Sequence, residues 1–149
     1  MKSEEELKNK GVIFESIILT QVVHSVHDVQ MVCKCRESEV MKTLVFVGNN
    51  PIIVIMPGSK KANIAKIERY TGEKNLRMAK PSEVISITDY TVGSVSPFGI
   101  NPKVKQIADD SVRNLPFLFL GSGKGNTLIK LNQVEFKKAF QGVFAPVSD

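Results

Sequence analysis

The sequence predicts an α+β fold, in which one domain over residues 1–149 has a mixed, largely antiparallel twisted sheet covered by helices. Short apolar runs typical of buried strands alternate along the chain with segments that have helical periodicity and capping residues. The turn Gly48-Asn49-Asn50-Pro51 separates two such runs, which predicts a β-hairpin and antiparallel pairing. The chain has 149 residues without an internal repeat or linker, which suits one domain with a hydrophobic core.

Strands are expected where β-branched and aromatic residues form an apolar run bounded by turn residues. VIFESIIL is the first of these runs, and the next two flank the Gly48–Pro51 turn. FLFLG and TLIKL lie on either side of the loop GSGKGN, which predicts a second hairpin. The expected strands cover residues 12–19, 40–48, 52–56, 76–79, 117–121 and 127–131.

Helices are expected where a capping residue precedes a segment with helical periodicity. Glycines end three of them, since glycine readily adopts the left-handed conformation that follows a helix. A turn or a single helical turn is expected over residues 109–114. The expected helices begin at or just after Ser3, Ser25 (with Asp28), Ser59, Pro81 and Asn132. The glycines that end the first, third and last of them are Gly11, Gly72 and Gly142.

The composition is that of a globular protein, with 42 % hydrophobic and 23 % charged residues, and it excludes a disordered chain. No apolar run reaches the ~18 residues of a membrane-spanning helix. The charged N-terminal stretch MKSEEELKNKG does not resemble a signal peptide. We therefore expect a cytoplasmic protein without a membrane partner. Cys33 and Cys35 are too few for a disulfide framework and are expected to be free thiols.

The net charge of +5 is concentrated in one segment of the chain. Residues 60–80 contain seven lysines and arginines but only two glutamates, and the rest of the chain is balanced. A charge cluster of this kind either forms a solvated helix face or attracts a polyanion such as nucleic acid.

Two familiar site patterns are present only in part. His24, His27, Cys33 and Cys35 are all zinc-ligand types, but the Cys-x-Cys spacing is tighter than zinc sites use, so we predict no metal or other cofactor. The loop over 121–127 contains Gly-Lys yet lacks the earlier glycine and the following Ser/Thr of a nucleotide-binding P-loop. Its glycines still allow the backbone to approach another group closely, or to form a tight hairpin.

Lys42 is unusual because it lies within an apolar strand. Side chains alternate along a strand, so Lys42 shares a face with Val40, Leu44 and Phe46, and both faces of this strand are apolar. A lysine in that position either extends its ammonium to water or holds an anion or a developing negative oxygen in a pocket.

The stretch VGSVSPFGI, over residues 92–100, has two glycines, two serines and a proline in a run that otherwise resembles a buried strand. Glycine and proline interrupt regular structure. We interpret this stretch as a loop whose main chain contacts a ligand.

Read in order, these segments resemble the YbaK and prolyl-tRNA-synthetase-associated editing domains. The resemblance spans essentially the whole chain, and Lys-Thr-Leu combined with Gly-x-x-x-Pro-x-Gly is its most specific part. The matching segments are 41–46 (MKTLVF), 77–79 before Pro81, 91–99 (TVGSVSPFG) and 121–127 (GSGKGNT). The resemblance implies an enzyme that deacylates mischarged aminoacyl-tRNA, with alanine or cysteine on tRNA for proline as the expected substrate. No synthetase is attached, so a freestanding member acting in trans, in some cases beside a synthetase, is expected.

The resemblance also implies roles for particular residues. Lys42 matches the functional lysine of the family, and Gly93 and Pro97 match the ends of the loop whose main-chain amides meet the substrate carbonyl. The catalytic group is therefore expected to be Lys42, Gly93, Ser94 and Val95. Further substrate contacts are expected from Thr43, Ser96, Pro97, Gly121, Ser122, Gly123 and Asn126. Transfer RNA is expected to contact Lys60, Lys61, Arg69 and Lys74.

One departure and two alternatives accompany this interpretation. Some relatives carry a histidine in the loop that corresponds to 121–127, where this chain has Asn126 and Thr127. A mechanism that needs that histidine is therefore not expected here. The alternatives are a non-catalytic module that binds tRNA or a synthetase, and a hydrolase for some other small ester or amide.

Overall fold

The structure, a computed structural model, describes residues 2–19 and 26–149, and this part of the chain forms five helices and eight strands. The helices are α1 (Lys2–Asn9), α2 (Val26–Cys33), α3 (Ile64–Thr71), α4 (Pro81–Thr88) and α5 (Gln133–Ala139). The strands are β1 (Glu15–Ile18), β2 (Met41–Val47), β3 (Ile52–Pro57), β4 (Arg77–Met78), β5 (Lys105–Asp109), β6 (Phe117–Gly121), β7 (Thr127–Asn132) and β8 (Val143–Ala145). Short 3-10 helices cover Glu37–Glu39 and Asp110–Asn114.

The strands form two sheets, and most of their pairings are antiparallel. The smaller sheet has the order β1-β7-β6, and the larger has the order β4-β2-β3-β5-β8, in which β5 pairs in parallel with both of its neighbours. A bridge between Val40 and Phe119 joins the two sheets. The predicted α+β class and both predicted hairpins, β2–β3 and β6–β7, are confirmed.

Helices cover both faces of the larger sheet, and successive side chains of its central strand β3 pack against them alternately. Val54 and Met56 on β3 pack with Ile67 of α3, whereas Ile55 packs with the cluster that contains residues of α1 and α5. Ile53 packs with Val84 of α4 on that same second face. The helix α3 therefore covers one face of the larger sheet, and α1, α4 and α5 cover the other.

Several local signals in the sequence identified helix ends correctly. Gly11 and Gly72 have φ angles of 67° and 77° and follow α1 and α3, as predicted. The side chain of Asn132 accepts a hydrogen bond from the Glu135 amide at 2.8 Å and begins α5. The helix α2 is present, but its predicted cap, Ser25, lies outside the described residues.

Two predicted helix starts are wrong. Ser3 lies inside α1, where its buried hydroxyl donates to the Ser122 carbonyl at 2.5 Å instead of capping the helix. The helix α3 begins four residues later than Ser59 and Lys60 suggested, and Asn63 caps it by accepting from the Lys66 amide at 3.0 Å. The cause is tertiary, since residues 61–62 pair with the C-terminal residues 148–149.

The strands β5 and β8 were not predicted. β5 carries charged residues at both ends, and β8 has only three residues. Both are held by parallel pairing with segments distant in sequence, which no short-range pattern reveals. Among the described residues, no helix combines the length and the apolar character needed to cross a bilayer.

Candidate functional site

A cavity of about 260 Å³ lies where the first half of β2, the loop over 91–100 and the end of β6 come together. Lys42 and Thr43 of β2 line one side of it, and Gly93 and Val95 of the loop line another. The end of β6 contributes Gly121, so the two glycine-containing loops singled out in the sequence meet at one cavity. Apolar side chains complete the wall, namely Val29, Val40, Leu44, Phe119 and Leu128.

Lys42 provides a cation at the edge of this cavity. It pairs with Met56 across the β2–β3 hairpin, and its ammonium donates a hydrogen bond to the main-chain carbonyl of Lys60. Partial burial lowers the pKa of Lys42, and the Glu37 carboxylate acts in the opposite direction by favouring the charged form. An ammonium has three donors. Since Lys60 is its only acceptor within 2–19 and 26–149, the other donors are open to an anionic ligand.

The loop over 91–100 belongs to neither sheet, and its main chain turns sharply at Gly93. The φ angle of Gly93 is 91°, a region that side-chain-bearing residues rarely occupy. The Ser94 amide donates to the Thr91 carbonyl at 3.1 Å and closes the turn. In the described part of the chain, the amides of Gly93 and Val95 have no hydrogen-bond acceptor. Both residues line the cavity, which places these two amides beside it.

The carbonyl groups of this loop are bonded to the protein, which fixes its conformation. The Ser94 carbonyl accepts from the Gly123 amide at 2.8 Å, and the Pro97 carbonyl accepts from the Gln106 side chain at 3.0 Å. The Phe98 carbonyl accepts from the buried Tyr90 hydroxyl at 2.6 Å. Three separate segments therefore hold the loop through its carbonyls. No local sequence pattern marks Tyr90 or Gln106, because their role depends on hydrogen bonds to carbonyls 8 and 9 residues away.

The glycines of the 121–127 loop have a structural explanation. A Cβ atom at Gly121 would lie 2.5 Å from the Val95 carbonyl oxygen, and one at Gly123 would lie 2.5 Å from the Tyr90 ring. Gly123 also has a φ angle of 98°. Gly121 is needed because the two loops pack main chain against main chain there, and Gly123 is needed because a side chain would overlap the Tyr90 ring. Gly121 lines the cavity, whereas Gly123 supports the neighbouring loop from behind.

The structure does not bring all of the predicted substrate contacts to the cavity wall. Ser96 is fully buried, and its hydroxyl accepts from the amide two residues later at 3.2 Å. The buried Ser122 hydroxyl donates to the Thr127 carbonyl at 2.6 Å. Asn126 is exposed, and its carbonyl accepts from the Leu19 amide at 2.7 Å. These residues, like Pro97, shape the loops, and of the predicted polar side-chain contacts only Thr43 lines the cavity.

The predicted tRNA-binding cations separate into two groups. Lys60 and Lys61 are exposed beside the Lys42 end of the β2–β3 hairpin. Arg69 and Lys74 are also exposed, but the Lys74 carbonyl accepts from the amide of Asn49 in the hairpin turn, at the opposite end of the sheet. The first group therefore lies beside Lys42, whereas the second lies at the other end of the sheet.

Other reactive side chains are not arranged for chemistry. Cys33 and Cys35 are free and half-buried, and burial raises the pKa of each thiol, which disfavours the reactive thiolate. No three His, Cys, Asp or Glu residues of 2–19 and 26–149 are close enough to hold a metal, and His24 lies outside these ranges. No carboxylate or imidazole of the described residues lines the cavity. A carboxylate or imidazole that could act as a general base is therefore missing from the described wall.

We expect Tyr90→Phe to lower the free energy of unfolding by about 1–3 kcal/mol, because the Phe98 carbonyl would lose its partner while remaining buried. Chemical denaturation followed by circular dichroism measures this change. The Tyr70→Phe variant is a suitable control, since Tyr70 is 46 % exposed and its hydroxyl has no hydrogen-bond partner within the described ranges. Equal stability of Tyr90→Phe and the parent would contradict the proposed support of the loop.

The chain is similar to one known family and to several solved structures. A model of the aminoacyl-tRNA editing domain matches residues 20–139, which include every residue of the cavity described above. The proline–tRNA ligase of Pseudothermotoga lettingae is 28 % identical over 109 residues, covering 72 % of this chain and 19 % of that enzyme. The proline–tRNA ligase of Streptococcus mutans is 25 % identical over 150 residues, covering 99 % of this chain and 24 % of that enzyme. The chain thus spans about a fifth to a quarter of these relatives.

Solved structures resemble the whole chain. The crystal structure of a hypothetical protein, APE2540, has a TM-score of 0.93 and 28 % identity, and the match covers 100 % of both chains. A candidate trans-editing enzyme for prolyl tRNA synthetase has a TM-score of 0.90 and 21 % identity over 99 % of this chain and 95 % of that one. Because the sequence identity in the second comparison is 21 %, that comparison shows a shared fold and nothing more.

Proposed function

Because the chain belongs to the family of aminoacyl-tRNA editing domains, we propose that it hydrolyses the ester bond between a wrongly attached amino acid and tRNA. The observation that carries this proposal is the meeting of one lysine ammonium and two unpaired main-chain amides at one small cavity. Ester hydrolysis passes through a tetrahedral oxyanion, and preorganised donors that face its position lower the barrier. We also propose that the enzyme is cytoplasmic and acts in trans on separately synthesised aminoacyl-tRNA.

The amides of Gly93 and Val95 are the proposed oxyanion donors. Both lie on the cavity wall without another acceptor among the described residues, and the surrounding carbonyl bonds hold them in place. One such donor contributes roughly 3 kcal/mol to transition-state stabilisation. The Ser94 amide closes the turn at Thr91, so Ser94 is better assigned to maintaining the loop than to contacting the carbonyl.

Lys42 is proposed to anchor the substrate through a phosphate oxygen of the terminal nucleotide. A flexible ammonium suits a point contact of this kind. Its present acceptor is a neutral carbonyl, that of Lys60, so an anion would bind more strongly than the group it replaces. The neighbouring exposed Lys60 and Lys61 would extend the positive field towards the acceptor stem.

The attacking water is proposed to be oriented by the substrate itself. The described cavity wall offers no carboxylate or imidazole, whereas the terminal ribose of an aminoacyl-tRNA carries a free hydroxyl beside the ester. An aminoacyl ester is already activated, so positioning and oxyanion stabilisation suffice for hydrolysis. This mechanism requires neither a metal nor a histidine in the 121–127 loop.

A small amino acid on tRNA for proline is the proposed substrate. Two observations support it: the similarity to proline–tRNA ligases and the apolar character of the side chains around the cavity. Alanine or cysteine would place a small, weakly polar side chain against that wall. An aminoacyl-tRNA synthetase is a proposed protein partner of this chain, because such a partner would suit an editing role.

The proposal is tested with a panel of mischarged tRNAs, by measuring the release of free amino acid. We expect release from alanine- or cysteine-charged tRNA for proline, well above the rate without protein. Correctly charged prolyl-tRNA is the matched control and is expected to stay intact. Binding of the whole panel without release would instead identify a non-catalytic module. Equal hydrolysis of esters that lack the tRNA body would indicate a general esterase.

A further inference from the structure

A second cavity, of about 320 Å³, lies at the end of the larger sheet that is remote from Lys42. Its lining includes Tyr70 at the end of α3 and Lys103 and Lys105 at the start of β5. Lys105 pairs with Ile52, the first residue of β3, whereas Lys42 pairs with Met56 near the last. Four residues of strand separate these levels, and the axial distance is therefore roughly 13 Å. This end cannot take part in the chemistry at the first cavity.

Exposed cations lie in the lining of the second cavity and in the chain segment beside it. Lys103 lines it directly, and Arg69 and Lys74 flank Tyr70 along the chain. Within the described part of the chain, none of these three cations forms an ion pair. We define Arg69, Tyr70, Lys74, Lys103 and Lys105 as the distal basic surface.

The nearby carboxylates are already bonded to the protein. Glu73 is buried and accepts from Lys105 at 2.9 Å, and this hydrogen bond is the main cause of its lowered pKa. Glu68 accepts from the Leu76 amide at 3.0 Å. Hence the four cations of the surface outnumber these two carboxylates, and three of the cations have their ammonium or guanidinium group free for an external anion. Tyr70, 46 % exposed, adds an aromatic ring to the same surface.

We propose that the distal basic surface binds the sugar–phosphate backbone of the substrate RNA, at a distance from the ester that is hydrolysed. This inference rests on the proposed function, because it takes the polyanion to be the tRNA. Exposed cations next to an aromatic ring are the groups with which proteins hold RNA without reading its sequence. The helix α3 connects this surface to Lys60 and Lys61 at the first cavity, so one RNA strand or stem can follow that side of the molecule.

Removing cations from the distal basic surface is expected to weaken tRNA binding without slowing ester hydrolysis. The test is the binding of uncharged tRNA to the full chain at several salt concentrations, measured by fluorescence anisotropy. We expect the double variant Lys74→Gln, Lys103→Gln to bind about tenfold more weakly at low salt. The slope of log affinity against log salt should fall by about one for each lysine removed. Both side chains are exposed, so the variant is expected to fold normally.

The matched control is the double variant Lys8→Gln, Lys137→Gln, which removes the same charge from α1 and α5 on the other face of the larger sheet. We expect its binding and salt slope to match those of the parent. Equal weakening in both variants would overturn the proposal, because it would show an effect of net charge alone. Unchanged tRNA binding by the Lys74→Gln, Lys103→Gln variant would also overturn the proposal. This would hold even if the variant no longer bound a synthetase, because the surface would then bind a protein and not RNA.

Two kinetic measurements complete the test and separate it from the proposed function. With full-length mischarged tRNA, the Lys74→Gln, Lys103→Gln variant should show a raised KM and an unchanged kcat. With a minimal aminoacylated acceptor-end substrate, too short to reach the distal basic surface, it should match the parent. A lowered kcat on this minimal substrate would contradict the proposal that the distal basic surface binds RNA away from the ester. If the parent deacylated nothing, the proposed function would fail, whereas the anisotropy result would still decide whether this surface binds RNA.

Discussion

Replacing Lys42 with alanine is expected to reduce kcat/KM for deacylation of mischarged tRNA by about 100-fold while leaving the fold intact. Among the described residues that line the cavity, Lys42 is the only one with a cationic side chain. A charge-assisted contact to the substrate is worth roughly 3 kcal/mol, which corresponds to about two powers of ten in rate. The side chain is only partly buried, and the Lys60 carbonyl that it contacts lies at an exposed position where water can replace the ammonium. Initial rates at substrate concentrations well below KM measure the effect directly.

Two further variants separate the role of the charge from that of the side chain. Lys42→Arg keeps a cation but presents it as a rigid planar fork, so we expect intermediate activity. Lys137→Ala removes an exposed lysine from α5, remote from the cavity, and should retain the parental rate. Parental deacylation by a folded Lys42→Ala protein would contradict the anchoring role.

The parts of the site that could be predicted from sequence are those with a local physical signature. Lys42 stood out because a lysine within an apolar strand needs either water or an anion. The loop over 92–100 stood out because glycine, serine and proline interrupted an apolar run. In both cases the anomaly lies within a few residues. The structure confirms that the two segments line one cavity, which no pattern within either segment determines.

The supporting residues lacked such a signature. Tyr90 and Gln106 act by donating to carbonyls of the loop, and their importance depends on contacts 8 and 9 residues away that only the folded chain forms. The strand β5 was missed for a similar reason, since its parallel neighbours lie far away in sequence. The basic segment was noticed as one cluster, but α3 separates its cations between two ends of the sheet. Charge spacing along a chain does not determine which cations face one ligand.

Gly93→Ala is expected to lower kcat by about 100- to 1,000-fold while changing the affinity for tRNA only slightly. The φ angle of 91° is one that alanine occupies only with strain, so the turn would relax and redirect the amides of residues 93 and 95. Loss of an oxyanion donor costs roughly this factor in kcat, because the donor acts on the transition state more than on the bound substrate. Single-turnover deacylation together with an independent tRNA-binding assay measures the two quantities separately.

Gly11→Ala is the matched control for this experiment. Gly11 also has a positive φ angle, 67°, and a Cβ atom there would meet no atom within 4 Å. It follows α1 and does not line the cavity, so alanine introduces similar backbone strain without disturbing the loop. Each substitution should therefore lower stability by about 1–2 kcal/mol, and only Gly93→Ala should lose activity. If Gly93→Ala lowered tRNA affinity as strongly as kcat, or if both variants lost activity equally, the amides at Gly93 and Val95 would not be acting as oxyanion donors.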